Sequence, residues 1–190
     1  MHKELVDLIN SNIPEAKAVF NEATDPKADA SITVEASSIL KLASWLRTND
    51  HMPFNVLQCI SGVDYLEYME VCYILAHFDL NTPRELILKV KLTDRVNPNL
   101  DSIVEVYPAA DFQERECYDM FGVSFNNHPD HRRILCPDDW KGFPLRKDYV
   151  PAKDYNGMLV YPDNKMNFED REFIVRQNMI KKAQEKASES

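Results

Sequence analysis

The chain has 190 residues, of which 44% are hydrophobic, and a formal net charge of -9 at pH 7. This length fits one domain with extensions, and the hydrophobic fraction is sufficient for a moderate core. The negative charge disfavours nucleic acid or an anionic lipid surface as the main partner, because both require a basic face.

The first third of the chain alternates short helices and strands. Apolar residues at helical spacing predict two helices, over His2–Asn10 and Ser38–Thr48. Ser37 and Ser38 both offer an N-cap for the second helix. Two short β-prone runs lie between these helices, at Lys17–Asn21 and Ser31–Glu35, and a Thr24-Asp25-Pro26 turn separates them.

Three longer β-prone segments follow and are predicted to form an antiparallel meander. They are Phe54–Val63, Glu70–Asp79 and Glu85–Leu92. In the last segment apolar residues alternate mostly with lysines, so one face should be buried under one or two helices and the other solvated. The predicted fold class is therefore α+β, a small antiparallel sheet covered by helices, in a domain over residues 1–108.

Residues 109–150 form a different region, in which a polar helix precedes an extended segment. The helix is predicted over Ala109–Phe121 and should end at Gly122, because glycine suits the left-handed conformation at a helix C-terminus. The following residues, 123–150, are interrupted by prolines and should run as an extended strap with tight turns. Residues 151–190 form a C-terminal extension, in which a last helix is predicted from Phe168 onward.

The strap mixes charged and aromatic residues in a pattern that favours a contact surface for another protein. Ordering about 25 residues costs on the order of 25 to 50 kcal/mol, which at ~25 cal/mol per Å² requires at least about 1,000 Å² of apolar burial. A small α+β domain has little spare surface of that kind, so an obligate partner is predicted. The residues that could supply this area are Ile134, Leu135, Trp140, Phe143, Leu145, Tyr149 and Tyr155.

The charged residues of the helix do not form a catalytic pair. Glu114 and Glu116 project about 200° apart at helical pitch, so they cannot act together as an acid and a base. Arg115 and Asp119 are four residues apart and can pair on the helix surface.

One grouping of side chains hints at a metal site. His128, His131 and Cys136 are metal donors, but the tight ligand spacing of structural zinc sites is missing, and Arg132 with Arg133 would repel a cation. A turn capped by imidazole hydrogen bonds is the favoured interpretation. A small soluble metalloenzyme that uses these three donors remains the alternative function of another class.

Other cofactor signals are missing from the sequence. The four cysteines form no Cys-x-x-Cys pair, which favours free thiols in a reducing compartment and disfavours an iron–sulfur cluster. Four glycines provide no phosphate-binding loop. The sequence shows no signal peptide and no run of ~20 uncharged residues, so we expect a cytosolic protein that reaches a membrane only through other proteins.

Five short motifs stand out in the helix and the strap. They are Glu114-Arg-Glu116, Asp119-Met-Phe121-Gly122, His128-Pro-Asp130, Arg132-Arg-Ile-Leu135 and Pro144-Leu-Arg-Lys-Asp-Tyr149. In order and spacing they resemble one known family, the C subunit of the proton-translocating NADH:quinone oxidoreductase, respiratory complex I, whose mitochondrial counterpart is the 30-kilodalton subunit. The resemblance covers roughly residues 31–149, including Gly62-Val-Asp-Tyr65 after the first strand of the meander.

The resemblance implies a non-catalytic core subunit of the peripheral arm of the complex, on the cytoplasmic side of the bacterial plasma membrane. It implies that this chain holds no cofactor itself, while other subunits carry FMN, iron–sulfur clusters and the quinone. The strap should lie along the larger quinone-site subunit, known as the D subunit, close to the cluster-bearing B subunit. The equivalent subunit of an F420H2- or ferredoxin-linked reductase, or of a membrane-bound hydrogenase, is the alternative within the same class.

Specific roles are expected for the motif residues. Charged hydrogen bonds of the helix should come from Glu114, Arg115, Glu116 and Asp119. Anchors of the strap to its neighbour should be Arg132, Arg133, Arg146 and Asp148, and apolar area should come from Trp140, Phe143 and Tyr149. The remaining interface or structural residues are Gly122, His128, Pro129, Pro144, Leu145 and Lys147. Replacing Arg146 by Ala is expected to leave the isolated domain stable but to impair assembly.

Overall fold

A five-stranded mixed β-sheet forms the centre of the computed structural model, which describes residues 2–23, 29–78, 83–152 and 154–159. The strands are ordered β1-β2-β5-β4-β3 across the sheet. Their bounds are β1 (Val19–Asn21), β2 (Ser31–Val34), β3 (Val56–Asp64), β4 (Met69–His77) and β5 (Arg84–Leu92). The turn predicted at residues 24–26 and the end of the second meander segment at Asp79 lie outside the described residues.

The predicted α+β class and the antiparallel meander are confirmed, but the sheet is mixed rather than antiparallel throughout. Strands β3, β4 and β5 pair antiparallel in sequence order. Strand β2 instead pairs with β5 in parallel, with Ile32 opposite Leu88, and β1 pairs antiparallel with β2. The parallel pairing joins strands that are far apart in sequence, with a helix and two strands between them, so it produces no local sequence signal.

Helices α1 (His2–Asn12) and α2 (Ile39–Thr48) confirm the two predicted helices and contribute to the same core as the sheet. Leu5 of α1 and Leu42 of α2 are fully buried in one cluster with Val71 and Leu88 of the sheet. The apolar residues of β4 and β5 alternate with less buried ones, as expected for a sheet that is covered on one face.

Ser38 does not cap α2 with its side chain, contrary to the prediction. Its hydroxyl donates to the carbonyl oxygen of Glu35 at 2.8 Å, three residues back in the chain. A 3₁₀ turn over Ala36–Ser38 leads directly into the helix. The serine hydroxyl therefore stabilises the turn that precedes the helix, as serine hydroxyls often do next to backbone carbonyls.

Helix α3 (Ala110–Phe121) lies between two short strands, β6 (Asn99–Asp101) and β7 (Ser124–Asn126), which pair in parallel. Its predicted C-terminus is confirmed: Gly122 has φ 74° and donates its backbone N–H to the carbonyl oxygen of Tyr118 at 2.8 Å. Strand β7 was not predicted, but from residue 127 onward the strap consists of turns and extended segments, as expected.

The chain divides into two compact units, Met1–Tyr149 and Val150–Ser190. The second unit is described only at residues 150–152 and 154–159, where β8 (Asp154–Tyr155) and β9 (Met158–Leu159) form a small antiparallel hairpin. The helix predicted from Phe168 onward lies outside the described residues.

Candidate interface formed by helix α3 and the strap

Helix α3 lies along β3, which is an edge strand of the sheet. The side-chain oxygen of Gln113 accepts the backbone N–H of Ile60. One and two turns farther along the same helix face, Cys117 and Phe121 also meet β3 at Gly62, where an added Cβ would lie 2.6 Å from the Phe121 ring. An exposed strand edge invites unwanted pairing, so this helix protects the edge and is held there by side chains spaced four residues apart.

Glu114 is fully buried and connects α3 to the segment that follows β6. One carboxylate oxygen accepts the Ser102 hydroxyl at 2.6 Å, and the other accepts the backbone N–H of Ile103 at 2.9 Å. Burial raises the pKa of Glu114 to about 7, although these two hydrogen bonds work in the opposite direction. The neighbouring charge of Asp111 adds to the increase.

Asp119 fixes the middle of the strap. Its Oδ2 accepts three consecutive backbone N–H groups, from Ile134 at 3.1 Å, Leu135 at 2.7 Å and Cys136 at 2.8 Å. Its Oδ1 lies 2.6 Å from Nη1 of Arg133. Burial opposes ionisation of Asp119, but these amides and the guanidinium more than offset it, so the pKa of Asp119 is lowered.

Arg133 also connects two other points of the strap to each other. Its Nη2 donates to the carbonyl oxygens of Trp140 at 3.2 Å and Gly142 at 2.9 Å, while Nη1 donates to the carbonyl oxygen of Asp119 at 3.1 Å. The guanidinium centre lies 5.2 Å from the centroid of the Phe143 ring. One side chain thus holds the end of α3 and two points of the strap together.

The turn after β7 is capped by imidazole hydrogen bonds, as the sequence predicted. Nδ1 of His128 accepts the backbone N–H of Asp130 at 3.0 Å, and Nε2 of His131 accepts that of Phe125 at 3.1 Å. Because Nδ1 of His128 is an acceptor, its neutral ring carries the proton on Nε2, which lies 3.2 Å from the carbonyl oxygen of Asp111. Both imidazole rings therefore hold the backbone of this turn in place.

The metal grouping proposed from His128, His131 and Cys136 is not assembled. The two imidazoles are engaged in the turn, and the backbone N–H of Cys136 points to Asp119. Within the described ranges, no group of three or more His, Cys, Asp or Glu side chains is arranged to hold a metal ion.

The far end of the strap returns to the C-terminus of α3. The backbone N–H of Leu145 donates to the carbonyl oxygen of Met120 at 3.0 Å, and Nε of Arg146 donates to that of Phe121 at 2.6 Å. The Arg146 guanidinium lies 4.7 Å from the centroid of the Phe143 ring. These contacts satisfy carbonyl groups that a helix end leaves without intrahelical partners.

A second charged cluster, which the sequence did not reveal, secures the end of the strap to the sheet. Arg95 donates from Nε and Nη2 to Asp64 at 3.0 and 2.8 Å, and from Nη1 and Nη2 to Asp148 at 2.9 and 2.6 Å. Asp64 also accepts the backbone N–H of Lys147 at 2.9 Å. The hydrogen bonds from Arg95 hold the pKa of Asp64 well below its usual range.

The structure separates the predicted site residues into two groups. Glu114, Arg115 and Asp119 point into the fold, and the expected pairing of Arg115 with Asp119 is not formed. Arg115 instead lies 3.2 Å from Asp130 and donates to the carbonyl oxygen of Arg132 at 3.2 Å. The other charged site residues form the second group, which is less buried: Arg133 and Arg146 are partly buried, while Glu116, Arg132, Lys147 and Asp148 are exposed.

The apolar side chains of the strap are left partly uncovered. Within residues 127–149, all of which the structure describes, no apolar residue is fully buried. Leu135 is 62% exposed and Leu145 is 54% exposed, while Trp140, Phe143, Pro144 and Tyr149 are half-buried and Pro129 is exposed. The backbone of the strap is therefore held by charged groups of this chain, which differs from the expectation that only burial against a partner could order it. The apolar side chains of the strap remain partly exposed.

Comparison with known proteins identifies the family. Residues 32–155 match the family described as "Respiratory-chain NADH dehydrogenase, 30 Kd subunit". The C subunit of the NADH-quinone oxidoreductase of Chloroherpeton thalassium is 42% identical over 121 residues, which are 63% of this chain and 49% of that protein. The corresponding protein of Salinispora tropica, which carries the same name, is 34% identical over 173 residues, which are 86% of this chain and 70% of that protein.

The same fold occurs in a solved structure. A chain of an archaeal respiratory membrane complex, the membrane-bound sulfane sulfur reductase, superposes with a TM-score of 0.62 and 23% identity, covering 78% of this chain and 85% of that one. In the part of the chain that the structure describes, no helix is long and apolar enough to span a membrane. On the family match and the relatives, this chain belongs to the family of the 30-kilodalton subunit of the respiratory-chain NADH dehydrogenase.

Proposed function

We propose that this chain is a non-catalytic core and assembly subunit of the peripheral arm of NADH:quinone oxidoreductase, complex I. In this role it holds the quinone-site subunit and the cluster-bearing subunit together while electrons pass from NADH to quinone, coupled to proton translocation. Its partners are these two proteins, the D and B subunits, together with other subunits of the arm. FMN, the iron–sulfur clusters and quinone belong to those other subunits.

One observation carries this proposal: the strap is fixed in place by contacts within the chain, yet it exposes its apolar side chains. Asp119 and Arg133 hold the backbone of the strap, while Leu135 and Leu145 are more than half exposed. A surface of this kind suits an interface. Contacts within the chain already compensate for the conformational entropy lost when the strap is ordered, and its apolar side chains are buried only on assembly.

The names of the relatives support the choice among related complexes. Relatives that are 33 to 42% identical are named as the C subunit of NADH-quinone oxidoreductase, which favours this enzyme over F420H2- or ferredoxin-linked reductases and hydrogenases. We further propose a peripheral location on the cytoplasmic side of the bacterial plasma membrane, with attachment through the partner subunits.

Co-purification tests this function. The full chain carries an affinity tag and replaces the untagged chain in the organism that produces it. It is purified in mild detergent, and the proteins that co-purify are identified by mass spectrometry. We expect the quinone-site and cluster-bearing subunits in amounts equal to the tagged chain. Recovery of the tagged chain alone would contradict the proposal.

A pair of variants tests the role of the strap in the same experiment. Replacing Leu135 and Leu145 together by Asp should abolish co-purification, because charged groups would be buried at the interface. Val19→Asp is the matched control, since Val19 is 56% exposed and lies on β1, at the opposite edge of the sheet from β3. If the double variant co-purifies as well as the control, the strap is not the interface.

A further inference from the structure

A cavity of about 290 Å³ opens between the edge strand β3 and the last turns of α3. Its walls are mainly apolar and are formed by Ile60, Cys117, Phe121 and Leu145. Leu145 belongs to the strap, so the cavity is continuous with the surface proposed above to contact a partner. Glu116 also lines the cavity, and among the lining residues, all of which the structure describes, it alone carries a formal charge.

Among the described residues, no cation balances the charge of Glu116. The positions three and four residues away on α3, which would place a side chain next to it, hold only apolar, amide or acidic residues: Phe112, Gln113, Asp119 and Met120. No cationic side chain of the described residues forms an ion pair with Glu116. Glu114, its counterpart in the same motif, is by contrast buried and fully engaged with Ser102 and Ile103.

The combination of an apolar wall and one carboxylate defines what can occupy the cavity. A lysine or arginine side chain has an aliphatic stem that packs on apolar surface and a cationic head that pairs with a carboxylate. A purely apolar side chain would leave the Glu116 carboxylate desolvated and unpaired on assembly, which is costly. The net charge of -9 also favours a basic partner surface over an acidic one.

We propose that this cavity is a socket for a lysine or arginine side chain of the adjoining subunit, with Glu116 as its counter-ion. The inference rests on the proposed function and makes it more specific. The stem of the inserted residue packs between Phe121 and Leu145, and its head reaches Glu116 at the rim. The socket therefore adds charge recognition to the apolar contact made by the strap.

Salt-dependent retention in the complex tests the socket. Complexes carrying the tagged chain are washed at increasing salt, and the fraction of partner subunits that stays bound is measured for the wild type, Glu116→Gln and Glu116→Lys. We expect the partner subunits to bind about tenfold more weakly to the Glu116→Gln variant, because the charge that pairs with the inserted residue is removed. Glu116→Lys should weaken binding further, because it reverses that charge. Glu105→Gln is the matched control, since Glu105 is exposed and lies outside the cavity.

The outcomes separate the two proposals. If the wild-type chain retains its partners and Glu116→Gln behaves like Glu105→Gln, the socket is wrong and the proposed function stands. If the wild-type chain has no partners, both are wrong.

A cross-link identifies the occupant directly. Leu145 is replaced by photoreactive benzoylphenylalanine in the assembled complex, and the cross-linked peptide is sequenced. The inference predicts a peptide of another subunit with a lysine or arginine at or beside the cross-linked position. A peptide without a basic residue, or a cross-link within this chain, overturns it.

Discussion

Asp119 of α3 and Arg133 of the strap form an ion pair with 2.6 Å between Oδ1 and Nη1, and the Asp119 side chain is fully buried. The same carboxylate accepts the backbone N–H groups of Ile134, Leu135 and Cys136. One side chain of the helix thereby determines the path of the strap. The conformation that leaves Leu135 exposed depends on this single anionic group.

Replacing Asp119 by Asn should release the strap. The variant keeps the size of the side chain but removes the charge that pairs with Arg133, and it leaves part of the amide cluster without an acceptor. Breaking a buried pair of this kind costs about 3 to 5 kcal/mol, which denaturant unfolding of the isolated chain would measure. Hydrogen exchange at residues 134–136 should also accelerate.

The control for this change is Asp138→Asn, because Asp138 is an exposed carboxylate of the same strap. It should leave both the unfolding free energy and the exchange at residues 134–136 unchanged. Equal behaviour of the two variants would show that Asp119 does not hold the strap.

Glu114 should make stability depend on pH in the neutral range. Its pKa of about 7 in the fold exceeds the value near 4.3 of an unfolded glutamate, so the folded state binds more protons between these two values. The contribution of Glu114 to the free energy of unfolding is at its maximum below about pH 4 and is lost as the pH rises through 7. The whole change is on the order of 3 kcal/mol. Glu114→Gln, which mimics the protonated side chain, should remove this decline.

The measurement is the free energy of unfolding of the isolated chain across this pH range, taken as the difference between each variant and the wild type. The wild-type profile is subtracted because Asp111 and His128 also face Glu114 and could add their own pH dependence. Glu116→Gln, two residues away on the exposed face, should leave the wild-type profile unchanged. Parallel profiles for Glu114→Gln and the wild type would rule out a raised pKa at Glu114.

Arg146→Ala should weaken the isolated chain, which differs from the expectation drawn from the sequence. The guanidinium donates to the carbonyl oxygen of Phe121 and lies against Phe143, so its loss removes contacts within this chain. We expect a decrease of about 1 to 2 kcal/mol in the free energy of unfolding. Arg132→Ala is the control, since Arg132 is exposed, and an equal effect of both changes would contradict this role of Arg146.

Gly122 should tolerate no side chain. Its φ of 74° is unfavourable for other residues, and an added Cβ would lie 2.4 Å from the Phe143 ring. Gly122→Ala should therefore destabilise by at least about 2 kcal/mol, as a lower melting temperature would show. Gly62→Ala is the comparison, because its Cβ would lie 2.6 Å from the Phe121 ring but its φ is not positive. If Gly122→Ala lowered the melting temperature less than Gly62→Ala, the positive φ at Gly122 would not contribute to the destabilisation.

Local patterns were sufficient to predict much of the fold. The helix that ends at Gly122 and the alternation of apolar residues in β5 depend on neighbours within a few residues, and both were read correctly from the sequence. The parallel pairing of β2 with β5 was missed because it joins Ile32 to Leu88, across more than fifty intervening residues.

The charged groups of the candidate interface were the hardest part to place. Charged residues are usually exposed, so no sequence pattern indicated that Glu114 and Asp119 are completely buried. The partners of Asp119 come from the strap, 14 to 17 residues later, and those of Asp64 come from Arg95 and Lys147. Such pairs depend on the tertiary fold and leave no spacing pattern in the sequence.

Oxidative footprinting of the strap tests whether a strap fixed within the chain presents its apolar side chains to a partner. Labelling of Leu135 and Leu145 would be compared between the isolated full chain and the purified complex, with Val19 as the reference. We expect strong labelling of both leucines in the isolated chain and protection of both in the complex, while Val19 stays labelled in both samples. Equal labelling of the two leucines in both samples would contradict it.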